Sequence, residues 1–204
     1  MMVSAHSPEH STTTAKIVVA GGFGAGKTTL VSAISEIPPI NTEAWMTTAG
    51  TLDDPLEPDS DKSTTTVAMD FGRRTLADDL VLYLFGTPGQ RRFWPMWDDL
   101  CRGASGALVL VDTRHLDRSF AAVNYFENDS TVPFVVGVNL FHGEQTHRLD
   151  AVRQALSLHE SVPLCAFDAR DRAQVAGALV GVVEHSMART ARTTPPRPLA
   201  PALR

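Results

Sequence analysis

One octapeptide near the start of the chain constrains the fold more than any other feature. Residues 21–28 read Gly-Gly-Phe-Gly-Ala-Gly-Lys-Thr and match the pattern G-x-x-x-x-G-K-[ST] without a gap. An apolar run at residues 16–20 precedes the octapeptide and a helical pattern follows it, which is the strand–loop–helix context that such a loop requires. Glycines let successive backbone N–H groups converge on phosphate oxygens, and the helix N-terminus adds a favourable dipole. The octapeptide therefore predicts a phosphate-binding loop rather than a glycine-rich turn with an exposed lysine.

The members of this loop have distinct expected roles. We expect Lys27 to reach the β- and γ-phosphates, Thr28 to ligate Mg²⁺ through its hydroxyl, and Thr29 to contact the α-phosphate. The backbone of the other loop residues is expected to surround the phosphates; these are Gly21, Gly22, Phe23, Gly24, Ala25 and Gly26. The predicted ligand is a nucleoside triphosphate with its magnesium ion.

Short apolar runs alternate with helical patterns along the rest of the chain. Strands are predicted at residues 16–20, 66–71, 80–85, 107–111, 134–138 and 164–167. Helices are predicted after the loop and at residues 95–102, 118–127, 149–158 and 171–188. This alternation predicts an α/β fold with a doubly wound, mainly parallel six-stranded sheet and helices on both faces. Ligands of such sheets bind beyond the carboxyl ends of the strands, where the motifs below fall.

The length of 204 residues suits one domain with tails, which we place at residues 15–189. Residues 1–14 are rich in Ser, Thr and His and are predicted to be disordered. Residues 190–204 carry four prolines, three arginines and no acid, and are predicted to form a flexible basic tail. Residues 38–63 form a long gap between predicted elements, which indicates a functional or mobile loop.

Bulk composition excludes several classes of protein. The net charge of −5 argues against a nucleic-acid-binding protein, which usually has a basic face. No apolar run approaches the roughly 20 residues that span a bilayer, and no secretory signal is visible. Cys101 and Cys165 lie in or beside apolar runs and are expected to be reduced core thiols. We therefore expect a cytoplasmic protein whose membrane contact, through the basic tail or through recruitment by partners, is peripheral at most.

Beyond the loop, the sequence resembles a Ras-like small GTPase. Residues 66–71 resemble the end of switch I and the strand after it, with Thr66 as the best match to the threonine that closes over Mg²⁺ and the γ-phosphate; Thr64 and Thr65 are rivals. Residues 84–90 resemble the switch II segment, where Gly89 would donate its N–H to the γ-phosphate and Gln90 would orient the attacking water.

One switch II position departs from that pattern. In the family, an aspartate at this position interacts with the ligands of Mg²⁺ and not with the ion directly. In this sequence the residue is Gly86. Asp70 and Asp112 are possible substitutes, although a structural role is favoured for both.

The segments that would bind the base follow the last two strands. Asn139-Leu140-Phe141-His142 resembles the N-K-x-D motif, whose aspartate accepts two hydrogen bonds from guanine, but His142 stands at the aspartate position. A neutral imidazole accepts one hydrogen bond at most, so we expect weaker selection of guanine. Asp168-Ala169-Arg170 resembles the S-A-K segment, which implies that the Ala169 N–H meets the guanine O6 and that Arg170 stacks on the base.

The resemblance is closer to a prokaryotic branch of that family, the MglA polarity GTPases and the conservon GTPases of the CvnD type. It is carried by residues 62–73, 82–97, 139–143 and 168–171, and it covers about residues 15–188. It implies a switch that operates beside a roadblock/LC7-type protein and a sensor-kinase-like signalling protein.

Two further groups in and near switch II have two interpretations each. One of the arginines 73, 74, 91 and 92 is a candidate internal arginine finger, although solvated or partner-binding arginines are commoner. The aromatic cluster at residues 93–97 belongs to the core or to a partner surface.

These motifs predict a GTP-binding switch with slow, Mg²⁺-dependent hydrolysis, in which GTP orders residues 38–66 and 86–97. The alternative is a nucleotide-binding scaffold with weak hydrolysis and relaxed base selectivity. A P-loop kinase fits poorly, because no arginine-rich lid follows the loop.

Overall fold

The computed structural model describes residues 12–38, 40–47, 64–89 and 91–193. Within these ranges the strands are β1 (Thr13–Gly21), β2 (Ile40–Thr47), β3 (Thr64–Ala77), β4 (Leu80–Gly86), β5 (Gly106–Val111), β6 (Phe134–Asn139) and β7 (Leu164–Phe167). They form one sheet in the order β2-β3-β4-β1-β5-β6-β7. Strands β4, β1, β5, β6 and β7 pair in parallel, whereas β3 pairs antiparallel with both β2 and β4. The predicted α/β fold with a mainly parallel sheet is confirmed.

Three α-helices lie in the connections between the parallel strands β4 to β7, whereas the first follows β1 and the last follows β7. In chain order the helices are α1 (Lys27–Ile34), α2 (Trp97–Cys101), α3 (Phe120–Asn124), α4 (Leu149–Ala155) and α5 (Arg172–Thr193). Short 3₁₀ segments span Arg91–Met96, Thr113–Ser119 and Phe141–Gly143. None of the helices in the described ranges is long and apolar enough to cross a membrane.

The sheet is buried on both faces. Ile17 and Val19 of β1 point into one core with α1 and α5, whereas Val18 and Ala20 point into a second core with α2, α3 and α4. All four side chains are fully buried. Alternating positions of one strand therefore face opposite apolar layers, which explains why β1 and β5 are continuous apolar runs in the sequence.

Strand β2 corrects the expectation that residues 38–63 form a loop. Ile40–Thr47 pairs with β3 from Ile40↔Phe71 to Thr47↔Thr64, so β3 also begins two residues earlier than predicted. An edge strand is defined by its long-range partner, and a weakly patterned segment does not reveal that partner locally. Residues 48–63 lie outside the described part of the chain.

Both ends of the domain extend further than predicted. Strand β1 begins at Thr13, where the backbone N–H donates to the Asp79 carbonyl at 2.6 Å. Helix α5 continues to Thr193, beyond the predicted end at residue 188. Alanine and arginine at residues 188–192 favour helix, and the pair Pro195-Pro196 that opposes it comes only afterwards. Residues 1–11 and 194–204 are outside the described ranges.

Candidate functional site

The octapeptide forms the turn between β1 and α1. Strand β1 ends at Gly21 and α1 begins at Lys27. Gly24 (φ +79°) and Gly26 (φ +103°) occupy the left-handed region that side chains disfavour, so the path of the turn requires glycine at both positions. Gly26 caps α1 without a side-chain hydrogen bond, and the first amides of the helix are left for a ligand.

Lys27 lies inside this turn. Its Nζ donates hydrogen bonds to the carbonyl oxygens of Gly21 at 2.9 Å and of Gly22 at 2.8 Å, and the residue is only 8% exposed. Burial lowers the pKa of Lys27 to about 8, although the carboxylate of Asp70 opposes this shift. The two carbonyl acceptors of this cation are neutral, and its hydrogen bonds to anionic phosphate oxygens would be stronger. The amine is therefore positioned to bind phosphate.

The segment after β4 packs directly against this turn. The Thr87 N–H donates to the Val19 carbonyl at 2.9 Å. A Cβ atom added to Gly89 would lie 2.9 Å from Lys27 Nζ and 2.9 Å from the Cα of Phe23. Gly89 therefore allows a close approach that any side chain would prevent, and it brings its backbone beside the lysine amine. Gln90, the predicted water-orienting residue, lies outside the described residues.

A carboxylate contacts the predicted metal ligand. Thr28 Oγ1 donates to Asp70 Oδ2 at 2.7 Å, and both Thr28 and Thr29 are exposed in the first turn of α1. A Cβ atom added to Gly86 would lie 3.0 Å from both Cβ and Oδ2 of Asp70. The carboxylate of Asp70, on β3, therefore fills the space beside Gly86 and contacts Thr28, and its role as a substitute for the missing aspartate stays a prediction.

The oxygen atoms of Thr28 and Asp70 are of the kind that Mg²⁺ prefers. Among the described residues, no group of three His, Cys, Asp or Glu side chains is arranged to hold a metal ion by itself. The residues present thus fit a metal that is held jointly with phosphate oxygens. Thr66, the second predicted metal ligand, lies in β3, and its side chain is not among those described.

Asn139 braces two loops at the predicted base end. Its Nδ2 donates to the Ala25 carbonyl at 3.0 Å, and its Oδ1 accepts a hydrogen bond from the Ala169 N–H at 3.0 Å. The side chain is 5% exposed. The Ala169 amide, which we expected to meet the guanine O6, already has an internal partner in this structure.

His142 stands apart from that brace. It is exposed, and its backbone adopts the left-handed conformation (φ +69°) in a short turn closed by a hydrogen bond from Gly143 N to Leu140 O at 3.0 Å. Histidine tolerates this region better than bulky residues do. The structure therefore presents an imidazole, and no carboxylate, at position 142.

Asp168 and Arg170 form a clamp that sequence reasoning missed. Asp168 Oδ1 accepts hydrogen bonds from Arg170 N and Nε, both at 2.9 Å, and its Oδ2 accepts one from Arg170 Nη2 at 2.6 Å. These bonds, with a smaller contribution from His142, lower the pKa of Asp168 to about 2. The clamp holds the Arg170 side chain beside Asp168, and the stacking of its guanidinium on the base stays a prediction.

The same clamp occurs after β5. Asp112 accepts hydrogen bonds from Arg114 N, Nε and Nη2, each at 2.9 Å, and the Arg114 guanidinium lies 3.3 Å from the centroid of the Phe141 ring. These contacts support the structural role that was favoured for Asp112. The repeated Asp-x-Arg spacing at residues 112–114 and 168–170 is the sequence signal that would have found both clamps.

The remaining candidates divide between other roles. Arg73 and Arg74 pair with Glu36 at 3.4 Å each, so the structure gives them an ionic partner of their own. Phe93 and Trp97 belong to the core, with 7% and 2% exposure, whereas Trp94 is half-buried. The side chains of residues 91 and 92 are not described.

Comparison with known proteins agrees with this geometry. The family model for conserved hypothetical ATP binding proteins matches residues 19–189. The crystal structure of the G domain of the T. maritima FeoB iron transporter superposes with a TM-score of 0.55 at 14% identity, and the match covers 88% of this chain and 99% of that chain. At this identity the likeness shows a common fold. No curated protein matches the sequence.

Proposed function

We propose a function that starts from family membership: the chain belongs to the family of conserved hypothetical ATP binding proteins. It is a nucleotide-binding P-loop protein with the fold of a G domain. The proposed function is that of a small GTP-binding switch that hydrolyses GTP slowly to GDP and phosphate. The observation that carries this proposal is the position of Lys27 Nζ, which lies where the 21–28 turn meets Gly89.

The chain's own residues account for the steps of this reaction. Lys27 and the amides of the turn stabilise negative charge that develops on the γ-phosphate, and Gly89 adds a main-chain N–H. Gln90 orients the attacking water, and Thr66 closes over the γ-phosphate. Thr28, whose hydroxyl contacts Asp70, would hold Mg²⁺. When bound, Mg²⁺ would neutralise charge on the β- and γ-phosphates.

The biological setting is proposed from the resemblance to MglA and conservon GTPases. In this setting the protein is a cytoplasmic bacterial signalling switch that acts with a roadblock/LC7-type protein and a sensor-kinase-like protein. These partners recruit it to the membrane, and the chain itself makes peripheral contact at most. Slow turnover is expected because Arg73 and Arg74, two of the candidate internal arginine fingers, are paired with Glu36.

A second candidate is a nucleotide-binding scaffold that hydrolyses poorly and accepts ATP as well as GTP. His142 favours it, since an imidazole replaces the expected carboxylate. The name of the family, which refers to ATP, favours it too.

The affinities of the purified protein for GTP, GDP and ATP separate the two candidates. We expect GTP and GDP to bind at least about tenfold more tightly than ATP, a difference of about 1.4 kcal/mol. Equal affinities for GTP and ATP would remove the GTP-specific function in favour of the scaffold.

Hydrolysis is tested by Gln90→Ala. Loss of the water-orienting amide should lower the single-turnover rate of GTP hydrolysis while the Kd for GTP stays within about twofold. Unchanged turnover would exclude Gln90 from the mechanism.

A further inference from the structure

The base end contains the carboxylate of Asp168, which has no role in the function proposed above. Its position affects which base the site can bind. Asp168 directly follows β7, whose last residue, Phe167, is in register with Asn139 of β6. Leu140 N donates to the Phe167 carbonyl at 2.8 Å, so the β6 and β7 loops leave the sheet side by side. Asn139 in turn joins Ala169 to the phosphate-binding turn. Asp168 is therefore held at the same edge as the phosphate site, one strand beyond β6.

Resting on the GTP-binding function proposed above, we propose that Asp168 is the specificity-determining residue for guanine. Its carboxylate takes the place of the acid that position 142 lacks, and it accepts a hydrogen bond from the 2-amino group. Adenine presents a lone pair at N1 and no 2-amino group, so the same carboxylate repels it. The site thereby selects guanine although His142 has replaced the expected aspartate.

The Asp168 carboxylate has an acceptor site left for this contact. A carboxylate offers about four lone-pair sites. Asp168 uses three: two on Oδ1 for Arg170 N and Nε, and one on Oδ2 for Arg170 Nη2. One site on Oδ2 remains among the described contacts, and the side chain keeps 12% of its surface exposed. A single, charge-assisted acceptor is thus presented at the edge of the site.

Arg170 acts as a positioning residue for that acceptor. Its bidentate contact fixes the plane of the carboxylate, and its positive charge keeps the acid ionised at all physiological pH values. His142 lies close enough to add to the same effect. It is exposed and accepts one hydrogen bond at most, which makes it a weaker reader of the base than the neighbouring carboxylate.

The clamp after β5 provides a matched control. Asp112 and Arg114 reproduce the geometry of Asp168 and Arg170, with the same three donors at 2.6–2.9 Å in the two clamps taken together. Asp112 is buried in the same way, but its arginine packs on Phe141. Any effect of losing a clamp on loop structure should therefore appear in Asp112→Asn as well.

The test compares the affinities of GTP and xanthosine triphosphate (XTP), which carries a 2-oxo group instead of the 2-amino group. The wild-type protein should prefer GTP over XTP by at least about tenfold. In Asp168→Asn, an amide oxygen in place of Oδ1 keeps the bonds from Arg170 N and Nε, whereas the NH₂ group in place of Oδ2 loses the bond from Nη2 and can donate to the 2-oxo group. The GTP-to-XTP ratio should then fall by at least about tenfold. Asp112→Asn should leave it within about threefold of wild type.

A ratio of two affinities does not depend on the fraction of variant that is folded, so partial instability of Asp168→Asn does not obscure the result. Asp168→Glu provides a second measurement: it keeps the charge and should keep the preference for GTP while weakening binding. An unchanged ratio in Asp168→Asn, or an equal change in Asp112→Asn, would overturn the proposal. Failure of the GTP-binding function itself looks different, because the wild-type protein would then bind GTP no more tightly than ATP.

Discussion

The phosphate end of the site is made mainly of main chain, whereas the base end is made of side chains. At the phosphate end, Gly24 and Gly26 shape a turn whose amides face the ligand, and Lys27 is the principal charged group. At the base end, Asn139 and Asp168 act through side-chain oxygens and nitrogens. A main-chain site imposes strict demands on residue type along one short segment. A side-chain site can move its functional group to another loop, so a substitution at one position does not by itself remove the function.

The largest expected effect tests Lys27, the principal charged group at the phosphate end. Lys27→Met removes the cation but keeps the length of the side chain, and we expect GTP affinity to fall by at least about a hundredfold. Because a buried charge is removed, the melting temperature of the nucleotide-free protein should not fall. Isothermal titration and thermal melts measure both quantities. Lys16→Met, at a half-buried lysine of β1 that donates to the Arg102 carbonyl, is the control, and an equal loss of affinity there would contradict the assignment.

The pH dependence should also differ between the two ends. Burial lowers the pKa of Lys27 to about 8, so the amine of the nucleotide-free protein loses its proton as the pH rises through this value. Phosphate binding needs the charged form, and GTP affinity should therefore fall about tenfold between about pH 7 and 9. The free energy of unfolding of the nucleotide-free protein should rise between about pH 8 and 10.5, because the unfolded chain binds the extra proton.

The base end should not titrate over the same range. The pKa of Asp168 is about 2, so its carboxylate stays ionised and the ratio of GTP to ATP affinities should stay constant. Lys27→Arg, which cannot lose its proton there, is the control for the phosphate end. A fall in affinity of the same size in that variant would assign the titration to the nucleotide or to another group.

The smallest expected effect concerns Asp70, whose carboxylate contacts the proposed metal ligand Thr28. Asp70→Asn keeps the shape of the side chain but removes its charge beside Thr28. We expect GTP affinity in Mg²⁺ to fall about fivefold, or about 1 kcal/mol, with little change in the presence of EDTA. Asp112→Asn should have no such metal-dependent effect. An equal loss with and without Mg²⁺ would make Asp70 structural after all.

The same contrast explains what could be predicted from the sequence. The turn at residues 21–28 and the positions of the parallel strands along the chain were predictable, because glycine φ angles and apolar periodicity are local constraints. Strand β2 was not, because Ile40–Thr47 becomes a strand only through its pairing with β3. The contact between Thr28 and Asp70 spans 42 positions in the chain, and no local pattern encodes it. Asp168 was associated with the site by its position, but its clamp to Arg170 needed the three-dimensional structure.

Asn139 has a consequence that reaches beyond its two hydrogen bonds. Since one side chain connects Ala25 to Ala169, the turn that surrounds the phosphates and the loop that carries Asp168 cannot fluctuate independently. When either half of a nucleotide immobilises its own loop, part of the conformational entropy of the other loop has already been lost. The two halves of a nucleotide should therefore bind with positive cooperativity, and the intact molecule should bind more tightly than the separate affinities of nucleoside and triphosphate would suggest.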